Sequence, residues 1–101
     1  MRVAKLLTLG IMAKNMKMIL LEDHPLYREG LKAQIRSMFP FVEFVYEGAD
    51  VGEAKRACLD EKINIAVIDL HLSDGRSPAE IVSTFTSISI PVLVISALNN
   101  L

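Results

Sequence analysis

The stretch Met18-Ile19-Leu20-Leu21 breaks off abruptly in Glu22-Asp23. A short apolar run without polar alternation marks a strand buried on both faces, the habit of parallel sheets. The same pattern returns downstream. Ile63-Asn64-Ile65-Ala66-Val67-Ile68 ends in Asp69, and Pro91 introduces Val92-Leu93-Val94-Ile95, which ends in Ser96-Ala97. Phe41 to Tyr46, aromatic and β-branched and closed by Gly48, completes a set of four strands.

Helical signals fill the gaps between them. Pro25 suits a first helical position, where its missing N–H costs nothing. Tyr27, Leu31, Ile35 and Met38 then recur at four, four and three residues and predict one apolar stripe, interrupted only by Gly30 and closed by Pro40. Asp50 followed by Glu53 has capping-box spacing and opens a second helix through about Leu59. Asp74-Gly75 marks a turn. Ser77-Pro78-Ala79-Glu80 joins a capping box to a proline at the first helical position, and predicts a third helix carrying Ile81, Val82 and Phe85 inward. Strands alternating with helices at this spacing imply βαβ units, a parallel sheet and right-handed crossovers.

The chain has 101 residues, 51% hydrophobic and 23% charged, which fits one globular domain and excludes a disordered chain. Cys58 is the single cysteine, so no intrachain disulfide is available. It reads as a small core residue of the second helix. No apolar run approaches the ~20 residues a bilayer span requires. Residues 1–15 carry Arg2, Lys5 and Lys14 and no acid, which leaves eight bases against all 12 acids from residue 16 onward. That acidic body has no footprint for nucleic-acid phosphates and suits a site that collects a cation. The basic-then-apolar opening lacks a small-x-small cleavage site, and reads as an extension (1–15) ahead of a domain spanning 16–101.

In an open parallel sheet, ligands bind beyond the carboxyl ends of the strands. Three strands end there in polar groups: Glu22 and Asp23, then Asp69, then Ser96. If the chain crosses over between strands one and three, three carboxylates share one space. Like charges that close raise a pKa unless a cation intervenes, and hard oxygen ligands suit Mg²⁺. A carboxylate beside Mg²⁺ can act as nucleophile toward phosphorus. Asp69, ending the central strand, is the nucleophile candidate. Glu22 and Asp23 would hold the metal, with the main-chain carbonyl of His71 turned toward the same ion. Ser96 offers a hydroxyl to a phosphoryl oxygen. His24 and His71, two loop histidines without further ligands, read as solvent-facing rather than as a zinc site. Lys32/Arg36 and Lys55-Arg56 read as solvated helix faces. Neither a Gly-x-Gly-x-x-Gly nor a Walker A loop is present.

These residues resemble a family. Residues 18–31, Met-Ile-Leu-Leu-Glu-Asp-His-Pro-Leu-Tyr-Arg-Glu-Gly-Leu, look like the opening of a bacterial response-regulator receiver domain, of the kind preceding a LuxR-type helix-turn-helix. Ala-Val-Ile-Asp-Leu-His-Leu (66–72) resembles the phosphoacceptor strand, and Val-Leu-Val-Ile-Ser-Ala (92–97) the switch strand. The resemblance implies a flavodoxin-like, doubly wound α/β fold with strand order 2-1-3-4. It implies a cytoplasmic two-component signalling domain rather than a turnover enzyme, acting in transcription regulation. Its partner would be a sensor histidine kinase, and its cofactor Mg²⁺. By position, Glu22, Asp23, Asp69 and His71 match the metal ligands, Asp69 the phosphoacceptor and Ser96 the switch hydroxyl.

Departures accompany the match. Ser73 stands where the family usually has Pro, and Ser77 where it usually has Gly. The family's fifth strand, with its phosphate-binding lysine, and its last helices have no counterpart, and no Lys or Arg lies beyond Arg76. Two expectations follow. The fourth strand, Val92 to Ile95, is an apolar edge suited to self-association, with residues 3–9 as a substitute strand. The alternative function is a receiver-derived module that binds partners without accepting phosphate. An aspartyl-phosphate hydrolase of the haloacid-dehalogenase kind would want a second Asp where His71 stands.

Overall fold

A computed structural model describes residues 15–96. The expectations for residues 1–14, the substitute strand among them, and for Ala97 onward lie outside that range. Four strands alternate with three helices: β1 (Met16–Leu21), α1 (Pro25–Met38), β2 (Val42–Gly48), α2 (Val51–Asp60), β3 (Ile65–Asp69), α3 (Pro78–Thr86) and β4 (Val92–Ile95). All pairings are parallel, and the sheet order is β2-β1-β3-β4. This is the class read from the sequence and the order that the family resemblance implies.

The unbroken apolar runs are explained by two cores. Ile19 and Leu21 of β1, with Ala66 and Ile68 of β3, point to one face, where Val51 and Ala54 of α2 and Ile81 and Phe85 of α3 cover them. Met16, Met18 and Leu20, with Ile65 and Val67, point to the other, against Leu31 and Ile35 of α1. Every residue of β3 is buried, as is every residue of β1 except Lys17. Burial on both faces leaves a strand no polar positions to alternate with.

Lys17 does separate work. Its backbone N–H donates to Asn64 Oδ1 at 2.7 Å, its carbonyl accepts from the Asn64 N–H at 2.8 Å, and its Nζ pairs with Glu61 at 2.6 Å. This clamp sits where β3 enters the sheet beside β1. From there the register runs Met18 with Ile65 through to Leu21 with Ile68, which makes Glu22 and Asp69 the next residues on neighbouring strands.

β2 begins at Val42 and runs to Gly48, two residues beyond the expected Tyr46. Its register against β1 shifts between Met18 and Ile19, which pair with Phe44 and Tyr46 and leave Val45 as the extra residue. Phe41 stays outside, 68% exposed. Helix starts follow the sequence signals. Ser77 Oγ accepts from the Glu80 N–H at 3.2 Å while Glu80 accepts from the Ser77 N–H at 2.9 Å, a complete capping box. At α2 only half of one forms: Asp50 Oδ1 accepts from the Glu53 N–H at 2.9 Å, and the Asp50 N–H goes to the Tyr46 hydroxyl at 3.0 Å. Gly75 occupies the expected turn with φ +91°.

Three readings need correction. Tyr27 is exposed, and the buried stripe of α1 starts at Leu31. Lys32 is buried, not solvated. Its Nζ lies 2.6 Å from Glu47 and 3.3 Å from Glu29, above the Phe44 ring, and its stem fills the α1–β2 seam. Arg36, on the same stripe, remains exposed over that ring. Cys58 is half-buried at the core margin, with its thiol turned to the Ala54 carbonyl.

α3 ends with a device the sequence did not advertise. Ser89 adopts φ 65°, and the Ile90 N–H returns to the Phe85 carbonyl at 3.0 Å. A left-handed residue followed by such a return bond is the usual way to stop a helix, with glycine the usual occupant.

Candidate functional site

The C-terminal rim of β1 and β3 gathers the acids. Glu22 follows β1 directly and is fully buried, and its N–H donates to the Gly48 carbonyl at 2.9 Å. Asp69 ends β3 and is 1% exposed. Asp23 is half-buried one residue further out, and its Oδ2 accepts from the Ser73 N–H at 3.3 Å. One ligand atom from each of Glu22, Asp23, His24 and Asp69 lies within 4.8 Å of the others. Glu22, Asp23 and Asp69 therefore converge as expected.

His24 joins them at the rim while remaining exposed, as its solvent-facing reading expects. Its Nδ1 lies 2.5 Å from Glu22 Oε1 and 3.1 Å from Asp23 Oδ1, and its backbone N–H donates to the same Glu22 oxygen at 2.9 Å. Pro25 at the first position of α1 keeps residue 24 extended, with φ −100° and ψ 104°, which leaves the ring at the rim. The sequence signal was adjacency alone: the imidazole immediately follows the acidic pair.

His71 and Ser96 lie at the same rim, on the β4 side. The His71 N–H donates to Asp69 Oδ1 at 3.2 Å, and Ser96 Oγ lies 3.5 Å from His71 Nε2. Arg28, which the sequence did not single out, donates from Nη1 to the Glu22 carbonyl at 2.8 Å and approaches Glu47 at 3.6 Å. It ties α1 to the loop that carries the acids.

Electrostatics at the rim are unbalanced. Burial pushes the Glu22 carboxyl above the ordinary glutamate range, and the facing Asp69 carboxyl adds to that, while His24 pulls the other way. The hydrogen bond to Glu22 holds the His24 imidazole more basic than usual. Burial, then the charges of Glu22 and Asp69, raise the Tyr27 hydroxyl above them. Glu22 Oε2 and Asp69 Oδ2 are buried without a hydrogen-bond partner. Buried carboxylate oxygens left unpaired are costly. Two of them on residues of one acidic cluster fit a hard divalent cation, which matches the donor set expected for Mg²⁺.

Solved structures give the comparison. The receiver domain of a modulated diguanylate cyclase from Desulfovibrio desulfuricans G20 matches 84% of this chain and 67% of its own, with 20% identity and a TM-score of 0.71. The response regulator MaeR bound to beryllium trifluoride matches 84% of this chain and 70% of its own, at 18% identity and TM-score 0.67. The receiver domain of the PhyR response regulator from Erythrobacter litoralis matches 82% and 64%, at 26% identity and TM-score 0.66. No protein-family model matches the chain, and no curated protein does. The fold is that of response-regulator receiver domains.

Proposed function

We propose that this chain is a phosphoacceptor signalling domain, taking a phosphoryl group on Asp69 from the phosphohistidine of a sensor kinase. The observation that carries the reading is the division of labour on Asp69. Oδ1 is held by the His71 N–H, while Oδ2 is buried and without a hydrogen-bond partner. Oδ2 is therefore the attacking atom: it forms the new O–P bond as the P–N bond of the donor breaks, and the histidine nitrogen leaves with the electron pair. Glu22, Asp23, Asp69 and the His71 carbonyl would hold Mg²⁺, whose role is to neutralise charge on the transferring group. Ser96, at the end of the adjacent strand, supplies a hydroxyl to the phosphoryl oxygens.

The chain's own groups supply position rather than covalent chemistry. Burial of Glu22 and Asp69 keeps water from the carboxylates, and Arg28 fixes the Glu22 backbone. The similar structures come from a diguanylate cyclase and from response regulators. One feature favours a second reading. Residues 77–101 contain no Lys or Arg to contact the phosphate, and a partner-binding module without phosphotransfer is the alternative.

The test is intact mass after incubation with Mg²⁺ and acetyl phosphate. A gain of one phosphoryl, abolished by Asp69→Asn and by chelation, is expected. No adduct under conditions that modify a full-length receiver would establish the binding-module reading.

A further inference from the structure

We propose that Glu47, on β2 and outside the acidic cluster, is a positioning residue for Glu22 and acts on it through Arg28. This role rests on the proposed function of Glu22 at the cation site, and adds what holds that carboxyl in place. Both peptide groups flanking the Glu22 Cα are tied to the last two residues of β2, one directly and one through Arg28. The Glu22 N–H donates to the Gly48 carbonyl at 2.9 Å, and the Glu22 carbonyl accepts from Arg28 Nη1 at 2.8 Å. Arg28 in turn faces the Glu47 carboxylate, Nε to Oε1 at 3.6 Å. A single tie would leave the residue free to pivot. Two ties fix the direction of its Cα–Cβ bond, and so where a fully buried carboxyl arrives.

Glu47 can serve as the post because it is itself braced. Its Oε2 lies 2.6 Å from Lys32 Nζ, and Lys32 is buried. Lys32 stands four residues after Arg28 on α1, so the two cations share one helix face, a turn apart, and hold one carboxylate of β2 between them. That arrangement sets α1 against β2, and with it the reach of Arg28 to the Glu22 carbonyl. Arg28 Nε is buried without a hydrogen-bond partner, and Glu47 is the acid that offsets its charge. With that acid neutralised, a buried guanidinium nitrogen is left uncompensated, and the side chain gains by turning to water and releasing the Glu22 carbonyl.

The experiment compares the full chain with Glu47→Gln, Arg28→Gln and the double variant. Amide hydrogen exchange of the metal-free proteins is followed by NMR, and Mg²⁺ affinity by equilibrium dialysis. Expected are faster exchange of the Glu22 amide in each variant with the β3 amides unchanged, and a loss of about tenfold in Mg²⁺ affinity, the size usual for partners that orient a metal ligand. The double variant should lose no more than Arg28→Gln alone, because Glu47 acts through that residue. Glu47→Asp, which keeps the charge on a shorter stem, should lose less than Glu47→Gln, and it tests the same direction if the glutamine variant does not fold. Wild-type Mg²⁺ affinity in the single variants overturns the positioning role and leaves the cation site standing. Additive losses in the double variant overturn the action through Arg28. If the wild type binds no Mg²⁺, the proposed function fails, and an unchanged Glu22 amide in the metal-free variants then overturns the positioning role separately.

Discussion

Glu22 and Asp69 are the next residues on neighbouring parallel strands after the Leu21–Ile68 pair, and each buries one carboxylate oxygen without a partner. His24 offsets part of the charge on Glu22, and what remains of the repulsion between the two carboxyls opposes folding until a cation joins them. Glu22→Gln should therefore stabilise the metal-free protein, on the order of 1–2 kcal/mol, while weakening divalent binding. Chemical denaturation with and without Mg²⁺ reads both. The wild type should gain stability with added Mg²⁺ and the variant should gain less.

Gly30 lies in the interior of α1 with open space around the position of a Cβ. Gly30→Ala should add about 0.5–1 kcal/mol by restricting the unfolded chain and improving helix propensity. A raised midpoint with an unchanged denaturant slope would identify that mechanism. Ser89→Gly should give a comparable gain of about 1 kcal/mol, because Ser89 carries a side chain in a left-handed conformation.

The buried ammonium of Lys32 holds Glu47 and Glu29 above Phe44. Lys32→Ala removes a cation and a packed stem together and should cost about 1–2 kcal/mol, discounted because Glu47 keeps part of its surface in water. Thermal unfolding at low and high salt separates the two contributions. The packing loss persists in high salt, and the ionic part shrinks.

Glu80 is held below the ordinary glutamate range by the Ser77 backbone N–H, then by the Ser77 hydroxyl. A carboxyl depressed in the folded state stabilises fully above its unfolded pKa, and the contribution disappears as pH falls through the folded value. Glu80→Gln keeps the reciprocal cap but has no such titration. The acid limb of stability against pH should be shallower in the variant, which is less stable than the wild type near neutrality and converges with it in acid.

Among the described residues, β4 pairs only with β3, and residues 81–101 contain no charged side chain to deter a second copy. Sedimentation at increasing concentration should reveal self-association. Val94→Lys, at an exposed position of β4, should suppress it. A compact monomer that resists concentration would contradict this.

Much of this arrangement was legible in the residues themselves. β1 and β3 announce double-sided burial through unbroken apolar runs, and their terminal acids fall at one rim because parallel strands share a direction. Ser77-Pro78-Ala79-Glu80 placed α3 because all its signals are local. What escaped was decided from a distance. Lys32 is buried because Glu47 of β2 faces it, and the exposed His24 pairs with Glu22, neither of which helical periodicity encodes. The end of β2 moved because it is an edge strand with a register shift, where half-burial blurs the pattern.

The Lys17–Asn64 clamp has a reach beyond its own surroundings. Parallel strands can slide by whole residues, and a one-residue slip reverses which side every side chain takes. By pinning both backbone groups of Lys17 to one asparagine, the protein sets a ruler whose opposite tip, about 17 Å along the strand, is the Glu22–Asp69 meeting point. The accuracy with which two carboxylates meet is thus calibrated at the far end of the sheet, by an amide that never touches them.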